Sequence, residues 1–177
     1  EMSRGLGDVY KRQVRGSDQW GNLVLLDEAM VYNPNHALSF FSVFNNDAIQ
    51  QVNLYKSYFP LMYGGRTSSV IDVRMREGNN QEKHRSATIG VIASKLQLEG
   101  PIKRGKTSYL LSTRFAYPGA ILGVLERFRG TKMNFYDINA KINSTLNDRN
   151  RFFFSIYNGG DHTYFNPVSY THLRAHE

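Results

Sequence analysis

A strict alternation of apolar and polar side chains in the second half of the chain limits its fold most. Residues 133–146 read MNFYDINAKINSTL, which places Ile138 and Ile142 on one face and Asn139 and Lys141 on the other. A period of two predicts a β-strand with two unlike faces. The same alternation recurs elsewhere, so we predict about five antiparallel strands, at residues 85–92, 95–101, 106–117, 133–146 and 151–160. Between the first two strands the phase switches, which predicts a tight reversal near residues 93–94.

The connections between these strands differ in length. Residues 103–105 and 147–150 are short polar turns, whereas residues 118–132 form a long connection, in which we expect a small helix at 118–128. Strands of about ten residues, with short turns on one side and long loops on the other, are typical of outer-membrane β-barrels. A soluble β-sandwich or meander shows the same alternation. Charged and amide side chains on the polar face favour a wet lumen over a packed core.

The first half of the chain has a different pattern. Residues 22–27 indicate a buried strand, residues 32–35 a turn, residues 46–55 a cap and helical start followed by a strand, and residues 68–75 an alternating strand. The polar segment 77–83 separates this small α/β unit from the second half.

Composition excludes several classes of function. The chain has no cysteine, which rules out disulfides and thiolate metal sites. Its net charge of +7 is scattered rather than clustered, so we expect no nucleic-acid binding. His36 and His162 are lone histidines, so no metal site is predicted. Neither a nucleophile–base set nor a phosphate-binding glycine loop is present, so we expect no enzyme activity and no cofactor.

The two ends of the chain do not match the sequence between them. Residues 8–13 and 167–172 can be encoded by opposite strands of one DNA word, and the correspondence extends to residues 3–7 and 173–177. This pattern is similar to a translated sequencing adapter. We therefore expect residues 1–13 and 168–177 to be adapter-derived rather than native.

An ordered set of motifs carries a family resemblance. Read in order, residues 14–16, 25–27, 53–56, 63–66 and 69–73 resemble the rear of the plug domain of TonB-dependent outer-membrane receptors, in a branch common in nutrient-scavenging Gram-negative bacteria. Residues 98–102 are similar to an early barrel turn of that family. The resemblance implies a plug segment at 14–82, followed at 83–167 by the first strands of an incomplete transmembrane barrel, which in the family has about 22 strands.

The resemblance also implies roles for particular residues. Polar contacts between plug and barrel would come from Arg15, Lys56 and Arg66, although Lys56 stands where the family carries an arginine, and lysine cannot form the same planar fork. The plug-turn glycines would be Gly16, Gly64 and Gly65. A candidate ligand-facing plug loop, for which ordinary loop structure is an equal explanation, would contain Tyr32, Asn33, His36 and Phe40.

The function implied by the resemblance is active import of a scarce nutrient across the bacterial outer membrane. The nutrient would be a siderophore, cobalamin or an oligosaccharide, and the energy would come from TonB, through a box that this sequence lacks. The other expected partners are outer-membrane lipid, the transported ligand and a surface lipoprotein. The alternative is a passive or adhesive β-barrel, or a soluble carbohydrate-binding β-module; an Asp/Glu/His hydrolase is a weak third.

Overall fold

The computed structural model describes residues 22–36, 41–56, 63, 69–122 and 132–164, and these residues are organised almost entirely as β-strands. The residues predicted to act at Arg15, Gly16, Phe40, Gly64, Gly65 and Arg66 lie outside the described residues, as do both chain ends. Below, the front segment means the described residues from 22 to 82, and the main sheet means the strands that follow them.

The front segment contains a mixed sheet. Its strands are β1 (Asn22–Leu26), β2 (Ala29–Met30), β5 (Ile49–Tyr55) and β6 (Ser69–Met75), in the order β2-β1-β6-β5, and β1 runs parallel to β6. Two short strands, β3 (Asn35–His36) and β4 (Phe41–Ser42), pair with each other as a separate hairpin. A 3-10 helix (Asn46–Ala48) precedes β5, and the Asn45 side chain caps it by accepting from the Asp47 backbone N–H.

The main sheet has five antiparallel strands in chain order, at the places where alternation predicts strands. They are β7 (His84–Ile89), β8 (Ala93–Lys103), β9 (Thr107–Ala116), β10 (Lys132–Asn147) and β11 (Asn150–Tyr164). A short helix, α1 (Gly119–Leu122), follows β9. Among the described residues, no helix has the length and apolarity needed to span a membrane.

The reversal between β7 and β8 comes earlier than predicted. The Gly90 backbone N–H donates to the Ala93 carbonyl at 2.9 Å, so the chain turns over residues 90–92 and Ala93 already belongs to β8. Val91 and Ile92 are exposed turn residues. Val91 continues the odd-numbered apolar positions past the end of β7 at Ile89, which is why the prediction near residues 93–94 was wrong.

The polar and apolar faces of the main sheet are the reverse of those in a water-soluble sheet. On β10 the buried positions include Asp137, Asn139, Lys141 and Asn143, whereas Ile138 and Ile142 are exposed. On β9, Ser108 and Ser112 are buried and Phe115 is exposed, and the exposed side chains of β11 include Phe152, Phe154 and Ile156. The front segment covers the polar face.

The apolar cores are small and lie mainly in the front segment. One cluster joins Leu26, Val73 and Met75 of the front segment to Leu110 of β9. Two others are formed by Leu23, Leu25 and Val70, and by Ala116, Met133 and Phe135. Beyond Leu110, charged and amide side chains also join the front segment to the main sheet.

Candidate functional site: a buried polar interface

The interface between the front segment and the main sheet is a set of charged and amide contacts. Each of the strands β8 to β11 contributes at least one polar side chain to it. The contacts are His36 with Asp137 and Asp161, Lys141 with Asp27, Arg76 with Glu99, Lys95 with Asp47, Arg114 with the Ser42 carbonyl, Asn45 with Ser112, and Glu77 with Asn143 and Arg151.

His36 lies at the centre of the most deeply buried of these contacts. Its Nε2 is 2.6 Å from Asp137 Oδ1, and its Nδ1 is 2.9 Å from Asp161 Oδ2. The Asp137 side chain is 0% exposed and that of His36 is 4% exposed. Asp137 also accepts hydrogen bonds from the Tyr157 hydroxyl at 3.0 Å and from Arg114 Nε at 2.6 Å.

This geometry fixes the charge of His36. An ionised carboxylate only accepts hydrogen bonds, so a histidine between two carboxylates must donate from both ring nitrogens, which requires the imidazolium form. Burial disfavours that charged form, but the hydrogen bonds and charges of Asp137 and Asp161 outweigh burial and raise the pKa of His36 above its ordinary 6.5. The cations His36 and Arg114 thus match the two aspartates in number.

A glycine makes room for the His36 ring. Strand pairing places Arg114 of β9, Asp137 of β10 and Gly159 of β11 in one row across the sheet. A Cβ at Gly159 would lie 3.2 Å from His36 Cε1 and closer than 3.0 Å to the Tyr157 hydroxyl. The ring also stacks on Phe135, with centroids 4.8 Å apart. His36 is therefore seated in a gap that this row leaves open.

A second buried ion pair joins a strained turn to the middle of β10. Lys141 Nζ lies 3.0 Å from Asp27 Oδ2 and 3.1 Å from the Met75 carbonyl oxygen. Asp27 and Glu28 connect β1 to β2 with φ values of 46° and 73°, in the left-handed region that L residues seldom adopt. Asp27 Oδ1 also accepts from the Met75 backbone N–H at 3.0 Å. These contacts hold the turn against β6 and β10.

A third contact is partly open to water. Arg76 Nη2 lies 2.9 Å and 3.1 Å from the two carboxylate oxygens of Glu99. Glu99 is buried, whereas Arg76 is 40% exposed. Nearby, Lys95 Nζ lies 2.9 Å from Asp47 Oδ2, and both side chains are partly exposed.

The segment between β6 and β7 is bound to the main sheet rather than free of it. The Ser108 hydroxyl donates to the Glu77 carbonyl at 2.6 Å, and the Glu77 carboxylate accepts from Asn143 Nδ2 at 3.1 Å and from Arg151 Nη2 at 2.6 Å. Gly78 follows at φ 78°, where a Cβ would lie closer than 3.0 Å to the Tyr109 carbonyl oxygen. The backbone thus passes directly against β9.

The sequence-predicted site residues fall into separate places. Lys56 is exposed at the end of β5 and forms no ion pair with another described residue. Tyr32 is 81% exposed, and Asn33 beside it is also exposed. His36 is turned inward, away from that pair. The contact role of Lys56 and the ligand-facing role of Tyr32 and Asn33 stay predictions.

Tyr32 and Asn33 border a cleft between the front segment and β11. The cleft has a volume of about 330 Å³, and Met30, Ser155, Ile156 and Tyr157 are among its lining residues. Within the part of the chain that the structure describes, no group of three or more His, Asp or Glu side chains is arranged to hold a metal ion.

The sequence predicted no contact role for Asp27, Arg76, Glu77, Arg114, Asp137 or Lys141. A signal was present for the last two, because a charged residue at an inward position of an alternating strand needs a partner on the element that covers it. The identity of that partner depends on which parts of the front segment lie over the sheet.

A comparison with solved structures agrees with this architecture. No family model matches the chain, and no curated protein does. Among solved structures, the siderophore receptor PirA from Acinetobacter baumannii matches with a TM-score of 0.62 and 13% sequence identity. The chain shares the fold of part of that protein. The match covers 85% of this chain and 25% of that receptor, so the described architecture corresponds to about a quarter of the larger protein.

Proposed function

We propose that this chain is part of an outer-membrane receptor that imports a scarce nutrient with energy delivered by TonB. The observation that carries the proposal is the reversed main sheet, which buries charged and amide side chains and exposes Ile138, Ile142, Phe152 and Phe154. The receptor-like fold supports it.

The exposed face fits a lipid environment. Large contiguous apolar patches are rare on monomeric proteins in water and mark surfaces that meet something else. Here the exposed apolar side chains recur at alternate positions of β10, and β8, β9 and β11 add Leu96, Phe115 and Ile156. A strand with one lipid-facing apolar side and one polar interior side gives this pattern. The main sheet would then be the first part of a barrel wall.

The covered face fits a plug that has to move. Moving a plug exposes its contact surface to water, and polar groups can replace each lost partner with water, whereas apolar groups cannot. Contacts such as Arg76–Glu99 and Lys95–Asp47 already have one or both side chains partly in water. The front segment is therefore proposed to be the rear of a plug.

The proposal assigns partners and substrates by class. The nutrient is a siderophore, cobalamin or an oligosaccharide; the partners are TonB, outer-membrane lipid and a surface lipoprotein. The exposed pair Tyr32 and Asn33, beside a cleft of about 330 Å³, is proposed to face the nutrient. We propose no catalytic role and no cofactor.

The alternative is a passive or adhesive β-barrel, or a soluble carbohydrate-binding β-module. A passive barrel would share the exposed apolar face, but it gives no reason for a separate folded segment to be bound by charges across the polar face. A soluble module would have to cover the exposed face of β10 with further chain.

Deletion of the complete gene from its host tests the proposal. The deletion strain should fail to grow on one nutrient from a panel of siderophores, cobalamin and oligosaccharides, and the complete gene should restore growth. Restoration should fail in cells whose TonB is inactive. Uptake that persists without TonB would favour the passive barrel. Recovery of the complete protein in the soluble fraction would favour the soluble module.

A further inference from the structure

Cations that are scattered along the sequence come together at one end of the main sheet. Arg104 and Lys106 lie in the β8–β9 turn, and Arg149 lies in the β10–β11 turn, with Asp148 as the one acid in the two turns. The turns are neighbours, because the Thr145 amide donates to the Lys106 carbonyl at 2.8 Å. The β7–β8 turn, at the opposite end of the sheet, contains no charged residue.

Lys83 adds a fourth cation at the same end. Strand pairing places Gly100 of β8 in one row with Tyr109 of β9 and Ile142 of β10, on the exposed face. A Cβ at Gly100 would lie 2.8 Å from Lys83 Cγ, so the Lys83 stem covers Gly100 on that face. Lys83 and Arg104 border a hollow of about 620 Å³, which Gln81, Glu82, Pro101 and Ile102 also line. We call Lys83, Arg104, Lys106 and Arg149 the cationic rim.

The described residues do not neutralise the rim. None of its four cations forms an ion pair with another described residue. The acids beside them in the sequence are Glu82 and Asp148, so four cations against two acids leave an excess of positive charge. Such a surface attracts an anionic partner.

Exposed apolar side chains next to the rim select the kind of partner. Ile102, before the β8–β9 turn, is 61% exposed, and Leu146, before the β10–β11 turn, is 65% exposed. At a membrane boundary, apolar side chains enter the acyl region while cations reach the phosphates. We propose that the cationic rim binds anionic phospholipid headgroups, with Ile102 and Leu146 against the acyl chains. This inference rests on the proposed function and deepens it by naming the class of lipid.

The hollow shows how one headgroup is held. Its phosphate accepts from the Arg104 guanidinium and the Lys83 ammonium, and the charges on both partners strengthen these bonds. The hydroxyls of a phosphatidylglycerol headgroup can donate to the Glu82 carboxylate, which gives this acid a partner. An acidic polypeptide would also neutralise the rim, but it would leave Ile102 and Leu146 in water.

The test uses the complete protein in phosphatidylcholine vesicles, with a fluorophore on a cysteine introduced at position 146. Phosphatidylglycerol and phosphatidylcholine, each with a nitroxide on the acyl chain, are added to separate samples at equal mole fraction. The ratio of their quenching constants measures the local preference for the anionic lipid. At low ionic strength this ratio should be about five or more. In about 1 M salt, which screens charges beyond about 3 Å, it should fall toward one.

Three sets of variants make the result specific. Replacing all four rim cations by Gln should bring the ratio to about one at low ionic strength, because the attraction of the anionic lipid is lost. Arg104→Lys with Arg149→Lys keeps the charge and should keep the wild-type ratio. Lys132→Gln, at an exposed lysine where β10 begins, is the control and should also keep it. The circular dichroism of each variant should match wild type, and the salt dependence of the wild type needs no variant.

The same experiment separates this inference from the proposed function. Equal quenching by both lipids in the wild type would overturn the rim while leaving the exposed face in lipid. Quenching by neither lipid would contradict the lipid-facing sheet and the rim together. A preference that survives in the four-Gln variant would place lipid selection elsewhere and overturn the rim. A ratio of one, with binding of polyglutamate that the four-Gln variant loses, would assign the rim to an acidic polypeptide instead.

Discussion

Lys141 Nζ lies 3.0 Å from Asp27 Oδ2, and the two side chains are 7% and 1% exposed. The lysine projects from the middle of the main sheet, and the aspartate sits in a turn whose backbone is strained at both central residues. The pair therefore joins the front segment to the sheet at a point where neither charge can reach much water.

Removing one member of this pair should lower the unfolding free energy. Lys141→Met leaves Asp27 buried without its cation, and we expect a loss of about 3–5 kcal/mol in unfolding free energy. The double variant Asp27→Asn with Lys141→Met should recover part of that loss, because Asn keeps an acceptor for the Met75 amide. Lys103→Met, at an exposed lysine of β8, is the matched control and should stay within about 0.5 kcal/mol of wild type. Equal losses for Lys141→Met and Lys103→Met, measured by denaturant unfolding of the complete protein, would contradict the assignment.

Two glycines with similar backbones should respond differently to alanine. Gly78 and Gly105 have φ values of 78° and 70°, so both substitutions incur a left-handed penalty of about 1–2 kcal/mol. At Gly105 a Cβ meets nothing within 4 Å, whereas at Gly78 it meets the Tyr109 backbone. Gly78→Ala should therefore cost about 1–3 kcal/mol more than Gly105→Ala in denaturant unfolding. Matching losses would mean that the backbone at Gly78 does not pass against β9.

The charge on His36 should make stability depend on pH. Because the folded pKa of His36 is raised, its contribution is fully present below the unfolded value of 6.5 and is lost as pH rises through the folded pKa. The difference in Tm between wild type and His36→Gln should therefore be largest in mild acid and shrink as pH rises through that window. A difference that grows with pH would show that burial, which lowers the pKa, dominates at His36.

The cost of an arginine on the exposed face of β10 should depend on its position along the strand. If the exposed face of β10 meets lipid, Ile138→Arg should cost about 2–4 kcal/mol, and Leu146→Arg, near the turn after β10, about 0–1 kcal/mol. Unfolding of the complete protein from lipid vesicles measures both. Two near-zero costs would place the face in water.

Local periodicity explains why much of the main sheet could be predicted from sequence. Whether Ile138 and Asn139 point to opposite faces depends only on their being neighbours in an extended strand. The prediction failed at residues 90–92, where apolar side chains continue past the strand end into a turn.

The interface could not be predicted in the same way. His36 binds partners that lie 101 and 125 positions away, and no local pattern encodes such pairs. His36 lies inside the interface, whereas Tyr32, four positions earlier in the chain, lies outside it. The sequence predicts a polar linker at residues 77–83, but the Glu77 carboxylate binds two strands of the main sheet. The interface depends on how the front segment lies across the sheet, which is a long-range property.

The central claim is that the apolar face of β10 meets lipid while the charged face meets the front segment. Spin labels at cysteines introduced singly along residues 136–143 of the complete protein, in lipid vesicles, test it most directly. Collision rates with oxygen, which concentrates in lipid, should be high at positions 136, 138, 140 and 142 and low at 137, 139, 141 and 143. Two results would contradict the account. One is a high oxygen collision rate at positions 137, 139, 141 and 143 and a low rate at 136, 138, 140 and 142. The other is a collision rate with a water-soluble nickel complex that equals the rate with oxygen at the outward positions.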